Sequence, residues 1–324
     1  MTSPPHDAAN AERDPGPVLP EVKMHLHMPA TPGTGVVVGS ERCTRPKSAG
    51  FVRHVSIRVE GTQLAGNFRP GQSFGVIPPG VDAHGRPHKV RLYSIASPSR
   101  GEDGRGTVIA TTVKRALFED PETHKLRLGV ASNFLCDLRV GDSVQVTGPS
   151  GKRFVLPANA GAHDYVFFAT GTGIAPFRGM ILDLLEAGTP SKIALVMGVP
   201  YANDLIYDEE LRRLAARSAN FRYLTALSRE RQEDGGDSMY VQDRLRSHRD
   251  ELAAVLSSAR GLVYVCGLSG MELGVLQGLA RALKPDALER YLHVDGAAGA
   301  PDSWERTMIH KLVRPTRRVF MEVY

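Results

Sequence analysis

The sequence is short of cysteine. Its 324 residues contain only Cys43, Cys136 and Cys266, far apart and odd in number. No Cys-x-x-Cys and no Cys/His ligand cluster occurs, so no metal site is expected. Three thiolates also fall short of the four that an ordinary iron–sulfur cluster takes. A disulfide scaffold is disfavoured too, which points to a reducing compartment. No apolar run reaches the ~18–20 residues of a membrane span; the longest, Tyr165–Ala169 and Ile193–Val199, have strand length. His-Glu-x-x-His is missing. His248-Arg249-Asp250 stands without any companion kinase motif.

What is present fits a soluble protein of two domains, with 42% hydrophobic and 23% charged residues. The net charge of +5 suits an acidic protein partner, a phosphate-bearing cofactor or nucleic acid. Residues 1–33 are polar and rich in Pro and Ala, and a disordered N-terminal tail is expected there. The tail has no basic start and no apolar segment. It carries Asp7, Glu12, Asp14 and Glu21, which transit peptides tend to lack. A cytoplasmic location is the expectation.

Over residues 34–158 the hydrophobic period is two. Val52, Val55, Ile57 and Val59 alternate loosely with polar residues. Short apolar runs follow at Ser73–Ile77, Arg91–Ala96, Thr107–Val113 and Ser143–Thr147, separated by Gly and Pro clusters. That pattern predicts an antiparallel barrel or sandwich. A short helix is predicted at Ser132–Leu138, with Ser132 as its N-cap.

Over residues 159–324 the pattern changes. Strand-length runs at 165–169, 192–197, 221–227 and 262–266 alternate with helical periods at 175–187, 208–217, 240–256 and 270–283. A helical stretch from Asp302 to Leu312 and a strand at Val319–Val323 close the chain. This alternation predicts an α/β domain on a parallel sheet. Its ligands belong at the carboxyl ends of the strands. The loops there contain Thr170–Gly173, Gly198-Val199-Pro200, Ser228-Arg229 and Cys266-Gly267. The first of these reads as strand, tight turn and helix, a ready site for an anion. It carries half of the dinucleotide fingerprint, with Pro176 where the third glycine would fall.

Arg91-Leu92-Tyr93-Ser94-Ile95-Ala96-Ser97 puts an arginine, a tyrosine and a serine on one strand, Arg91 and Tyr93 sharing a face. An arginine suits a pyrophosphate and a tyrosine can cover a flat ring. RLYSIAS resembles the flavin-binding motif of the ferredoxin–NADP⁺ reductase family. GQSFGVIP (71–78), VKR (113–115), GVASNFL (129–135), GPSGK (148–152), ATGTGIAPFRGM (169–180), MGVP (197–200), LSRE (227–230), MYVQ (239–242), VYVCGLSGME (263–272) and the terminal MEVY follow the order of the plant-type branch. The resemblance covers about residues 40–324.

The resemblance implies an FAD-binding antiparallel β-barrel followed by an NADP-binding α/β domain. It implies that Arg91, Leu92, Tyr93 and Ser94 bind FAD, Arg91 at the pyrophosphate and Ser94 near the flavin N5. Val130, Ala131 and Ser132 would meet the FAD phosphates, with Thr112 and Lys114 lining the same region. Phe118 stands where the family commonly stacks a tyrosine on the adenine side, and Ala131 where it often has cysteine. For NADP(H) the implied residues are Lys114, Thr172, Val199, Pro200, Ser228, Arg229, Ser238, Tyr240, Gly267, Leu268 and Glu322. Ser238 replaces the usual Lys or Arg of the 2′-phosphate clamp, so a weaker preference for NADPH over NADH is expected unless Arg231 or Arg244 compensates. Ser94, Cys266, Glu322 and Tyr324 are implied at the hydride-transfer point, Thr172 between the two cofactors, and Tyr324 as an aromatic lid over the flavin.

With no cluster of its own, such a chain needs a separate one-electron carrier. An acidic ferredoxin or flavodoxin fits the basic charge, through steering. The expected activity is that of a monomeric reductase moving electrons between NADPH and that carrier through FAD. A reductase dedicated to an oxygenase or a cytochrome shares these motifs. A nucleic-acid-binding module is the reading from another class. Its support is the scattered basic charge, including Arg314–Arg318, and no nucleic-acid motif accompanies it.

Overall fold

Alternation along the chain builds the first layer, in a computed structural model that describes residues 16–324. Val37, Val55 and Ile57 point inward from Gly33–Arg42 (β1) and Val52–Arg58 (β2) and are fully buried. Ser73–Ile77 (β3), Arg91–Ser94 (β4) and Val108–Lys114 (β5) follow. A hairpin of Leu117–Glu119 (β6) and Leu126–Leu128 (β7) comes next, then helix Val130–Asp137 (α1) and Ser143–Ser150 (β8). Six of these strands form one antiparallel sheet in the order β4-β3-β8-β1-β2-β5. It curls into a barrel. The two edge strands meet at the Ile95–Thr111 bridge and the Ala96 N–H bond to Ala110 O, 2.8 Å long, not along a full ladder.

Two expectations are corrected in this half. The N-cap of α1 is Gly129, not Ser132. Ser132 Oγ instead donates to Gly129 O and accepts from the Ala116 N–H, both at 3.1 Å, so it ties the helix start to the β6 loop. Residues 16–33 are not a disordered tail. They run extended against the barrel, with His25 N–H donating to Pro149 O at 2.8 Å and Ala158 N–H to Val18 O at 2.9 Å. Gln72 Nε2 adds a bond to Lys23 O at 3.0 Å. A proline-rich segment favours extended backbone, and extended backbone offers groups that the barrel can pair. The part of that expectation on residues 1–15 lies outside the described residues.

The second half alternates as its hydrophobic periods require. Its elements are Asp164–Thr170 (β9), Ile174–Glu186 (α2), Ile193–Val199 (β10), Asp208–Arg217 (α3) and Phe221–Leu227 (β11). Arg244–Ser247 (α4), Arg249–Leu256 (α5), Gly261–Gly267 (β12), Met271–Ala282 (α6) and Pro285–Leu288 (α7) follow. Leu292–Val294 (β13) pairs antiparallel with Val313–Pro315 (β14), and Val319–Val323 (β15) ends the chain. The main sheet is all parallel, in the order β11-β10-β9-β12-β15. One face packs Val166, Phe168, Val263 and Val265 against α4 to α6. The other packs Tyr165, Phe167, Tyr264 and Cys266 with Phe177 and Ile181 of α2 and Phe154 of the barrel side.

The single helix predicted over 240–256 is broken at His248 (φ −121°, ψ 42°). Arg244 Nε donates to Thr225 O at 2.7 Å and draws α4 toward β11, while α5 lies against β9 and β12. One straight axis cannot serve both. The helix predicted over 302–312 is replaced by two short 3₁₀ turns, Pro301–Ser303 and Arg306–Met308. Between them the buried Trp304 donates its indole N–H to Gly299 O at 3.2 Å, and the chain then turns into β14.

Candidate active site

The site is built where β9, β12 and β15 end. Gly173 has no room for a side chain, since a Cβ there would overlap the Cys266 carbonyl oxygen. Gly267 has φ +141°, a conformation suited to glycine, and its own Cβ would overlap Thr170 Oγ1. Thr170 Oγ1 accepts the Leu268 N–H at 2.8 Å. These contacts lock the Thr170–Gly173 turn onto the Cys266–Leu268 turn. The chain terminus joins them. Tyr324 N–H donates to Gly267 O at 3.0 Å, Ser269 N–H donates to Tyr324 O at 2.9 Å, and the hydroxyls of Tyr324 and Thr172 lie 2.8 Å apart.

Cys266 and Glu322 are register partners on β12 and β15 and share a face. Cys266 is fully buried. Burial, and then the Glu322 carboxylate, pushes its thiol well above the ordinary range, so it stays protonated. Burial also raises Glu322. Its Oε2 is buried without a hydrogen-bond partner among the described residues. Such an atom calls for a ligand group to meet it. Leu268, at the turn, and Tyr324 are 70% and 60% exposed, so the junction opens outward.

The barrel presents a second surface. On β4, Arg91 and Leu92 are exposed, while Tyr93 and Ser94 are half-buried and pair with Phe74 and Ser73 of β3. Burial pushes the Tyr93 phenol up to about 12. Leu92 on β4, Leu117, Phe118, Leu126 and Leu128 on the β6–β7 hairpin and Val130 at the start of α1 are each at least half exposed. The first amide of α1 with a helical acceptor is that of Asn133, to Gly129 O at 3.0 Å. The N–H groups of Val130, Ala131 and Ser132 precede that ladder, at the positive end of the helix. Beside them Gly129 fits closely, since a Cβ there would lie 2.8 Å from Ser132 Oγ.

A third group lines the carboxyl ends of β10 and β11. Ser228 N–H donates to Val199 O and Arg229 N–H to Pro200 O, both at 3.0 Å, which sets these loops side by side. Pro200, Arg229, Ser238 and Tyr240 are exposed, Ser228 is half-buried and Val199 is buried.

A family model described as an oxidoreductase NAD-binding domain matches residues 167–277. Ferredoxin–NADP reductase of Spirulina sp is 37% identical over 268 residues, covering 81% of this chain and 90% of that one. The chloroplastic root-type isozyme of Nicotiana tabacum is 37% identical over 314 residues, covering 94% and 78%. This chain belongs to the plant-type ferredoxin–NADP⁺ reductase family. The fold agrees: the ferredoxin–NADP⁺ reductase structure from Plasmodium falciparum matches at TM-score 0.69 and 23% identity, covering 93% of this chain and 99% of that one.

Against the family pattern, the structure brings Thr172, Cys266, Gly267, Glu322 and Tyr324 together at one junction. It sets Arg91 to Ser94, Phe118 and Val130 to Ser132 on the barrel. Thr112 is buried, and its hydroxyl lies 2.6 Å from Tyr207 of the second domain, at the seam between domains. Lys114, on the same face of β5, is exposed beside Gly50. Arg244 is not a replacement for the missing clamp cation. Its buried guanidinium holds Thr225 O, Gln232 Oε1 and, at 3.7 Å, Asp234. Arg231 is exposed and faces Asp237 at 3.9 Å. Reading the sequence also missed His54, Glu102, Arg178, Tyr207 and Glu210, which bind one another across the seam. Their contacts join residues far apart in the chain, and no local spacing signals them.

Proposed function

We propose that this protein is a ferredoxin–NADP⁺ reductase, moving electrons between NADPH and a separate one-electron carrier with FAD as its resident cofactor. The observation that carries the reading is the junction of Thr172, Cys266, Glu322 and Tyr324, with its buried carboxylate oxygen that has no partner among the described residues.

The residues present fit both cofactors. Val130, Ala131 and Ser132 would hold the FAD phosphates with their backbone N–H groups, and Arg91 would add a guanidinium. The exposed Leu92, Phe118 and Val130 would cover the apolar parts of the dinucleotide, with Tyr93 and Tyr324 for its ring. Ser228, Arg229 and Tyr240 would take the adenosine end of NADP(H), with Val199, Pro200 and Leu268 along its length. When bound, an isoalloxazine accepts a hydride from a nicotinamide and returns the two electrons one at a time.

The chain's own residues orient the exchange. Glu322 Oε2 offers an acceptor at the floor of the junction, and the protonated Cys266 packs beside it without carrying charge. Tyr324, bonded to Thr172, closes the entrance and excludes water until nicotinamide displaces it. Direct transfer needs the reacting atoms within about 3–3.5 Å, which a rigid floor and a movable cover provide together.

The carrier is a ferredoxin or flavodoxin, acidic so as to meet the net charge of +5. The protein works as a monomer in the cytoplasm, a setting that suits three free cysteines. Among the described residues no helix is long and apolar enough to cross a membrane. The test is direct. The purified protein should carry a yellow flavin spectrum, bleach anaerobically with NADPH, and reduce cytochrome c only when ferredoxin or flavodoxin is added. A colourless protein that binds DNA would overturn the reading.

A further inference from the structure

Away from the junction, Arg178 touches both domains at once. It lies in the second turn of α2, the helix whose start carries Thr172 and Gly173. Its side chain is only 11% exposed. Nη1 donates to Ala96 O at 3.2 Å and to Glu102 Oε1 at 2.7 Å. Nη2 reaches Glu102 Oε2 at 3.3 Å and Glu210 Oε1 at 3.0 Å, and Nε donates to Glu210 Oε2 at 2.7 Å. The Tyr207 ring lies against the guanidinium, 5.1 Å from centroid to Cζ.

The partners of this fork decide what it can do. Ala96 follows Ser94 on the chain leaving β4, so it moves with the flavin-facing strand. Glu102 belongs to the same barrel, whereas Glu210 is on α3 of the second domain. The neighbouring Gly179 seats α2 directly on the barrel, since a Cβ there would overlap the Ser97 carbonyl oxygen. Two residues before Ser97, Ile95 makes the bridge that joins the barrel edges. One end of α2 is therefore pressed on Cys266 through Gly173, and its middle is fastened to the strand of Ser94 through Arg178. A largely buried guanidinium between two carboxylates is weak evidence for stability, because desolvation offsets much of the attraction. It does impose geometry, since the planar fork meets both carboxylates and the carbonyl together, which an ammonium cannot do.

We propose that Arg178 is a positioning residue for hydride transfer: with Glu102 and Glu210 it sets the separation between Ser94 on the barrel and Thr172, Cys266 and Glu322 on the second domain. The inference rests on the electron-transfer reading above. It separates two properties. The adenosine end of NADP(H) would be held by the second domain alone, so its binding should not depend on Arg178. The approach of nicotinamide to the ring spans both domains, so it should.

The experiment uses the full-length, flavin-loaded protein with Arg178→Lys and Glu102→Gln. Flavin content and Tm report folding. The change in flavin absorbance on adding NADP⁺ to the oxidised protein reports nicotinamide beside the ring. Stopped-flow bleaching at saturating NADPH reports transfer. Both variants should keep their flavin and hold KM for NADPH within about twofold. Their bleaching rate should fall about tenfold or more, with a smaller absorbance change. An unchanged absorbance change and rate in both variants overturn the proposal, as does loss of flavin from both, which marks a merely structural role. Should Arg178→Lys fail to fold, Glu102→Gln decides alone. It keeps the shape of the side chain and removes only its charge. Failure of the wild-type protein to bleach with NADPH would instead sink the electron-transfer reading, before any variant is made.

Discussion

Cys266 and Glu322 face one another as register partners on adjacent parallel strands, and the carboxylate beside the thiol keeps one buried oxygen without a partner among the described residues. That oxygen costs the folded protein on the order of 1–3 kcal/mol until a ligand meets it. Glu322→Ala removes the orphan along with the acceptor. It should therefore leave stability unchanged or slightly raised, by about 1 kcal/mol. Flavin bleaching by NADPH should slow about ten- to hundredfold as the floor of the junction is lost. Thermal denaturation and stopped-flow absorbance check the two halves. A bleaching rate equal to that of the wild type would remove Glu322 from the transfer site.

On the proposed lid reading, the Thr172–Tyr324 hydroxyl contact stabilises the closed form by roughly 0.5–1.5 kcal/mol. Thr172→Val should thus favour opening by about two- to tenfold and improve KM for NADPH by the same factor. Tyr324→Ser removes the ring itself. It should raise kcat/KM for NADH more than for NADPH, because a nicotinamide without the 2′-phosphate anchor gains most from an open entrance. Steady-state diaphorase assays with both nucleotides measure this. Unchanged discrimination in Tyr324→Ser rules out the lid.

The sequence made most of this junction legible, and the reason is local. Residues Thr170 to Gly173 and Cys266 to Leu268 sit at strand ends, where glycine spacing reports the close approach directly. Strand positions on the parallel sheet were readable to within a residue or two because they are buried on both faces. Helix continuity was not. His248 and Trp304 break helical periods because of side-chain bonds to Thr225 O, through Arg244, and to Gly299 O, which no periodicity records. The β13–β14 and β6–β7 pairs are three residues per strand, too short to show a period of two. The surroundings of Thr112 were illegible for a related reason. Its strand was identified, but what stands across from its hydroxyl is Tyr207, far away in the chain.

The clamp loop gives a specificity prediction. Gln232 is buried and closes the loop through bonds to Leu227 N–H and O, so residues 228–240 hold a fixed shape. Ser238 is exposed on that loop, and the exposed Arg231 is opposed by Asp237. Ser238→Lys adds one cation without disturbing a buried contact. A charged hydrogen bond to a phosphate is worth about 1.5–3 kcal/mol, so KM for NADPH should fall about tenfold or more, with KM for NADH unchanged. Arg244→Ala should act elsewhere, lowering Tm by freeing Gln232 and Thr225. Equal effects of Ser238→Lys on both nucleotides would show that residue 238 does not face the 2′ position.

His54 supplies a pH dependence with a definite sign. Its Nδ1 lies 2.8 Å from the Tyr207 hydroxyl, its Nε2 is 3.8 Å from Glu102, and Arg178 and Glu210 stand beyond. Burial first, and then the Arg178 charge, lowers it from 6.5 to about 3, so the ring near Glu102 is neutral in the folded protein. The unfolded chain binds a proton at His54 below pH 6.5, whereas the folded chain does so only near 3. This residue's contribution is therefore full above pH 6.5 and is lost as pH falls toward 3, by about 1.4 kcal/mol for each pH unit in that window. His54→Asn keeps a polar atom for Tyr207 and cannot titrate. Urea unfolding at pH 7.5, 5.5 and 4.5 should show a wild-type stability that drops more steeply than that of the variant, the difference equalling about one proton. Parallel slopes would mean that His54 is protonated in the folded seam and pairs with Glu102.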